Sequence, residues 1–156
     1  MFGKASGFTT DLASIDGNNG FRLDGVAADD RLGASVSSAG DVNDDGFDDL
    51  IIGSQGADPN GENSGSSYVV FGKASGFSAS MNLSSLDGNN GFRLDGVAAD
   101  DFSGASVSNA GDVNGDGFDD LLVGAPYTDP NGENSGSSYL VFGRAAGFGA
   151  VINLSS

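Results

Sequence analysis

The chain has 156 residues, 27 of them glycine and three proline, and none is cysteine, histidine or tryptophan. Acidic residues outnumber basic ones 22 to 6, a formal charge of −16 that excludes a nucleic-acid partner and docking on anionic lipid, since both need a basic footprint. Without thiols or imidazoles there is no disulfide frame, no zinc, iron or copper site of the usual kind, and no triad built on a histidine base.

The start, Met1-Phe2-Gly3-Lys4, lacks the apolar stretch of a signal peptide. Residues 1–30 read as an N-terminal segment carrying a spare outer strand, G-F-R-L-D-G at 20–25. Gly33-Ala34-Ser35-Val36-Ser37 then alternates small and apolar residues, as a strand does. An acidic loop, D-V-N-D-D-G-F-D-D-L at 41–50, runs straight into the β-branched stretch Leu50-Ile51-Ile52-Gly53. Apolar runs of this length are too short to cross a bilayer, so no membrane insertion is expected. A turn cluster, Asp58-Pro59-Asn60-Gly61, leads to a third strand signal at 66–72 and a fourth at 91–96. Together residues 31–96 form one unit.

The same order then returns. Asp41 recurs as Asp112, Phe21 as Phe92, Tyr68 as Tyr139 and Phe71 as Phe142, each pair 71 residues apart, and most of 11–72 matches 82–143. Residues 102–148 are therefore a second unit, and 149–156 read as a tail. No stretch keeps a helical period. Short strands with identical connections in each unit predict an all-β chain of two four-stranded antiparallel propeller blades.

Phe71-Gly72, Gly124-Ala125-Pro126 and an acidic loop just before L-L-V-G resemble the FG-GAP repeats of integrin α-subunit β-propellers and their bacterial relatives. The resemblance covers nearly the whole chain, and it departs at Gly53-Ser54-Gln55, where the Gly-Ala-Pro turn is not kept. It implies a propeller whose loops, here 58–63 and 129–134 with 27–30 and 98–101, lie on a face that meets protein or glycan ligands.

The acidic loops carry the chemistry. With Asp41 as position one, oxygen side chains fall at positions one, three, five and nine: Asp41, Asn43, Asp45 and Asp49. Gly46 allows a sharp turn, and Phe47 at position seven can offer its carbonyl while its ring turns to the core. The second loop offers Asp112, Asn114, Asp116, the Phe118 carbonyl and Asp120. Hard oxygen donors in that number suit Ca²⁺, which takes about six to eight ligands, so two calcium ions per chain are expected. An EF-hand opens with the same phrase but needs a glutamate at position twelve and flanking helices, whereas Ile52 and Val123 stand there. In the resembled family the position-nine Asp closes the site on a hairpin. Asp44 becomes Gly115 in the second copy, so it reads as a solvent-facing acid, and Asp48 and Asp119 are expected to point away from the ion. Asn82-Leu83-Ser84 and Asn153-Leu154-Ser155 match the glycosylation sequon by chance.

Propellers use about four to eight blades, and two are seen here. Blade 102–148 lacks its own F-R-L-D-G strand, while residues 20–25 precede the first blade as a spare. Residues 142–156 also repeat the register of 2–14. The ring is therefore expected to close through further copies donating that strand head to tail, three giving six blades and four giving eight, or through repeats missing from this stretch. The expected function is a calcium-binding module with a structural or adhesive role, extracellular or at the surface of a bacterial cell, where calcium is plentiful and cysteine is not required. An engineered or excised set of repeats without its own ligand is one alternative, and a non-catalytic propeller within a larger extracellular enzyme is another. Nearly every acid has a partner in the other copy, so no asymmetric catalytic constellation is expected.

Overall fold

A computed structural model describes residues 11–145 and 147–155. Of the expected match of residues 2–14 to 142–156, residues 2–10, 146 and 156 lie outside the described residues. The described chain is all-β, with two single-turn 3-10 helices, and no helix long and apolar enough to cross a membrane. Ten strands follow in order: β1 (Arg22–Asp24), β2 (Ser35–Gly40), β3 (Asp49–Ser54), β4 (Ser66–Val70) and β5 (Ser80–Asn82), then β6 (Gly91–Asp95), β7 (Ser106–Gly111), β8 (Asp120–Ala125), β9 (Ser137–Val141) and β10 (Val151–Asn153).

They form a five-stranded sheet in the order β10-β6-β4-β3-β2, a three-stranded sheet β7-β8-β9, and a detached pair β1-β5. The four inner neighbours of the large sheet are antiparallel, as the sequence predicts for a propeller blade. Its outermost strand is not antiparallel: β10 lies parallel to β6, with Val151 opposite Arg93, and β5 lies parallel to β1 in the equivalent register, with Ser80 opposite Arg22. Residues 149–156, read as a tail, thus contribute β10 to the sheet. The first blade thus draws β2, β3 and β4 from one unit, a fourth strand, β6, after a crossover, and a fifth, β10, from beyond the second unit, whereas among the described residues the second blade has β7, β8 and β9 alone.

Local chemistry accounts for the elements. Alternation in β2 breaks at a bulge between Ser38 and Gly40, where Gly40 has φ +71°. Asp11 and Asn82 cap the two 3-10 turns, accepting from the backbone N–H groups of Ala13 and Ser84. Asn153 accepts likewise from Ser155, so the two sequon asparagines are capping residues. At the turn after β3, where the Gly-Ala-Pro sequence is not kept, the buried Ser54 hydroxyl donates to the Asp30 carbonyl at 2.8 Å. The glycine of each Phe-Gly pair is sterically required. A Cβ at Gly72 would stand 2.6 Å from the Asp48 carbonyl oxygen and the Phe47 Cβ.

Two apolar clusters flank the five-stranded sheet. On one face Ala39, Val42, Ile51, Val69, Phe71, Phe92 and Leu94 are buried against Leu121, Val123 and Phe148 of the second unit. Phe92 and Phe148 stack there with ring centres 4.4 Å apart. On the other face Ile52, Tyr68, Val70 and Leu83 are buried beneath Leu23, Phe77 and Met81, which belong to the β1-β5 pair and its approach.

Candidate metal centre

Each acidic loop joins two antiparallel strands, β2 to β3 and β7 to β8. Strand rather than helix on both sides removes the EF-hand geometry. In the first loop the Asp41 carboxylate accepts from the N–H groups of Asp45 at 3.0 Å and Gly46 at 2.9 Å. Asn43 Oδ1 accepts from the same Asp45 N–H at 3.0 Å, and Asp45 Oδ1 accepts from Phe47 N–H at 3.0 Å. The second loop repeats every one of these bonds through Asp112, Asn114 and Asp116. The side chains at positions one, three and five therefore turn inward on a shared set of backbone donors.

Position nine lies beneath them. Asp49 is fully buried, and its two oxygens accept from Val42 N–H at 3.1 Å and Gly72 N–H at 2.8 Å. Asp120 is equally buried and holds Val113 and Gly143 at 2.8 and 2.9 Å. This carboxylate links the loop to the Phe-Gly glycine at the end of the third strand of each unit, which explains why the two motifs travel together. Burial, and then the neighbouring charges of Asp45 and Asp41, push Asp49 up to about 6 against the pull of its two N–H donors. A carboxylate offers about four lone-pair sites, so two hydrogen bonds leave capacity for a cation.

Among the described residues no three acidic side chains are gathered in the arrangement of a metal centre. They are spread over the loop's own N–H groups. The donor set is nevertheless all oxygen, duplicated and clustered around a left-handed turn, which is the chemistry of a hard cation. The Phe47 ring is not in the core: it is 41% exposed. Position four needs a left-handed backbone, with φ +56° at Asp44 and +78° at Gly115, and that explains the substitution between the copies.

Position eight has a partner that sequence reasoning did not foresee. Asp119 Oδ2 accepts from the Asp41 N–H at 2.9 Å, and the Asp119 N–H donates back to the Asp41 carbonyl at 3.2 Å. An acid of the second loop thus grips the first residue of the first loop and couples the two hairpins. A difference between the copies also gathers in space. Arg31, Gln55, Phe102 and Tyr127, at positions where the repeat is not kept, line a cleft of about 410 Å³ with Asp100 and Asn134. Phe102 and Tyr127 meet there edge to face at 5.3 Å. The signal was present in the sequence as the run of mismatches at 31 and 55–56 against 102 and 126–127.

The FG-GAP repeat family model matches residues 32–70 and 103–141. Integrin alpha-6 of Homo sapiens is 35% identical over 108 residues, 69% of this chain and 9% of that protein. Integrin alpha-6 of Gallus gallus is 32% identical over 108 residues, again 69% and 9%. Integrin alpha-3 of Cricetulus griseus is 31% identical over 125 residues, 80% of this chain and 11% of that protein. The chain spans about a tenth of the length of the curated relatives it matches.

Proposed function

We propose, since the chain belongs to the FG-GAP repeat family and has its integrin α-like propeller blades, that it is a calcium-stabilised module with an adhesive or structural role and no catalysis of its own. The observation that carries this reading is the duplicated Asp-x-Asn-x-Asp constellation over a buried Asp, with the same four hydrogen bonds from the loop backbone in both copies. Asp41, Asn43, Asp45, Asp49 and the Phe47 carbonyl would hold one Ca²⁺; Asp112, Asn114, Asp116, Asp120 and the Phe118 carbonyl would hold another. The ion supplies positive charge where several carboxylates crowd one hairpin, and the protein supplies the oxygen atoms, the turn and the buried anchor. Such binding is folding free energy, because the unfolded chain has no comparable site.

Modules of this kind belong outside cells or on the surface of bacteria, where calcium is abundant enough for weak structural sites. A protein or glycan ligand would meet the loop face, and the cleft between Arg31 and Tyr127 supports that placement by combining an aromatic pair with polar groups of both signs. The ring itself would be completed by further copies of the chain. Calorimetric titration of metal-free protein tests the metal: about two calcium ions per chain and a raised melting temperature are expected. A melting temperature unmoved by millimolar calcium would refute the reading.

A further inference from the structure

The two faces of the first blade are unequally filled, and the shortfall has a definite shape. On the face shared with the second unit, Val42, Ile51 and Val69 are fully buried and Phe71 nearly so. Their counterparts one repeat later, Val113, Leu122, Leu140 and Phe142, are 40–57% exposed. On the opposite face, the cluster of Ile52, Tyr68, Val70 and Leu83 with Leu23, Phe77 and Met81 corresponds to Val123, Tyr139, Val141 and Leu154 with Leu94, Phe148 and Ile152. It lacks what the complete core draws from Val42, Ile51, Val69 and Phe71. The residues equivalent to that missing half are Val113, Leu122, Leu140 and Phe142.

The strands tell the same story. All of β4 is buried, with β3 and β6 on its two sides, whereas among the described residues β9, its counterpart, pairs with β8 alone. Among the described residues β1, the counterpart of β6, pairs with β5 and leaves its other edge without a strand. An unpaired edge beside an exposed apolar face is a template for another chain.

We infer that one copy of this chain docks its β1-β5 pair on the β9 edge of a second copy, in the register that β6 takes on β4. This rests on the propeller reading and deepens its self-assembly, and it is independent of calcium. In the single chain Ser66 faces Asp95, Ser67 faces Leu94, Tyr68 faces Arg93 and Val69 faces Phe92. Shifted by one repeat, Ser137 faces Asp24 of the next copy, Ser138 faces Leu23, Tyr139 faces Arg22 and Leu140 faces Phe21. The side-chain bonds transfer with it. Ser66 Oγ donates to Asp95 at 3.0 Å, and Asn60 Nδ2 donates to the Gly96 carbonyl at 2.7 Å. Across copies, Ser137 then donates to Asp24 and Asn131 to the Gly25 carbonyl.

A second contact fixes the same placement from elsewhere on the fold. Asp119 grips the Asp41 backbone within the chain. Its counterpart Asp48, on the copy that donates β1, grips the Asp112 backbone of the copy that offers β9. Strand pairing at the outer edge and this latch at the hairpin both arise from one rigid-body step, the step that relates the two blades within the chain. Repeating it head to tail gives a closed ring of whole copies.

The test uses the full chain in calcium buffer and in metal-free buffer. Native mass spectrometry at tens of micromolar is expected to find trimers or tetramers. Leu140→Asp puts a carboxylate on a position already 40% exposed in the single chain, so it should keep the β-type circular dichroism and leave only monomers. Asn131→Ala, remote from that core, should weaken association at least tenfold. Because the chain lacks cysteine, register can be read directly. Leu23→Cys chains mixed with Ser138→Cys chains should form heterodimeric disulfides on oxidation, while Leu23→Cys with Tyr139→Cys, whose side chain leaves the opposite face, should not. Monomers throughout, assemblies that survive Leu140→Asp, or equal cross-linking of both pairs would overturn the inference. Calcium binding by a chain that stays monomeric would overturn this inference alone, and assembly without calcium binding would overturn the metal reading alone.

Discussion

Removing the Asp120 side chain isolates what the buried carboxylate does for the fold. Its oxygens are the acceptors for Gly143 N–H, in a buried setting, and for Val113 N–H, in a partly buried one. A buried donor stripped of its acceptor costs about 1–3 kcal/mol, and a donor that water can reach costs less. Asp120→Ala should therefore lose about 2–4 kcal/mol, a sizeable part of the roughly 5–15 kcal/mol typical of a domain. At about 2–4 °C per kcal/mol for a chain of this size, the melting temperature should fall by about 4–16 °C. Asp120→Asn keeps one oxygen acceptor and turns an amide N–H₂ toward the other donor, so about half that loss is expected. Thermal melts followed by circular dichroism, in metal-free buffer at fixed protein concentration, separate this effect from any bound ion. If Asp120→Ala melts within about 1 °C of the parent, the carboxylate is not what ties the hairpin to the Phe-Gly glycine, and the account of the two linked motifs fails.

Three further expectations follow from the same geometry. Asp49 is raised to about 6 in the folded chain, so its contribution to metal-free stability is present below the unfolded carboxylate range and is lost as pH rises through about 6. The parent should accordingly gain on Asp49→Asn as pH falls from 7 to 4, and a stability difference flat across that range would contradict the burial argument. Leu94→Ala, at a fully buried site, should cost about 2–5 kcal/mol in urea unfolding, while Leu23→Ala in dilute monomer should cost clearly less. Equal costs would mean the two repeats are equally packed. Asp44→Gly relieves a left-handed backbone and one charge in a crowded loop, so metal-free stability should rise by about 0.5–1 kcal/mol; a fall would show that Asp44 makes a contact that matters.

Much of this molecule could be read from its residues, and the failures have physical causes. The repeat, the antiparallel strands and the oxygen-rich loops are local patterns, and each appears where the spacing puts it. Strands β5 and β10 were not legible: three residues such as Ser80-Met81-Asn82 carry no period, and their parallel partners lie 58 residues earlier in the chain. The Phe47 ring was assigned to the core on its chemistry alone, but residues 44–47 of that loop stand at the surface and the ring is 41% exposed. Asp119 was expected to point away from the ion, and what its own loop could not announce is the partner it meets, the Asp41 backbone of the other blade. Nor can identical sequences announce that Val42 is buried and Val113 is not, since burial depends on the neighbour as well as on the residue.

The fifth strand of the large sheet, β10, comes from beyond the second unit, so the period of the sequence and the boundary of the sheet are out of step. A genetic duplication of 71 residues, wherever its breakpoints fall, therefore inserts one whole sheet and leaves both frayed ends as they were. Growth of the array needs no accurate junction. Trimming is less forgiving: a cut placed cleanly between two units still divides a sheet and exposes a raw margin on either side. A lineage built this way can lengthen easily, and a short descendant inherits two margins that complement each other.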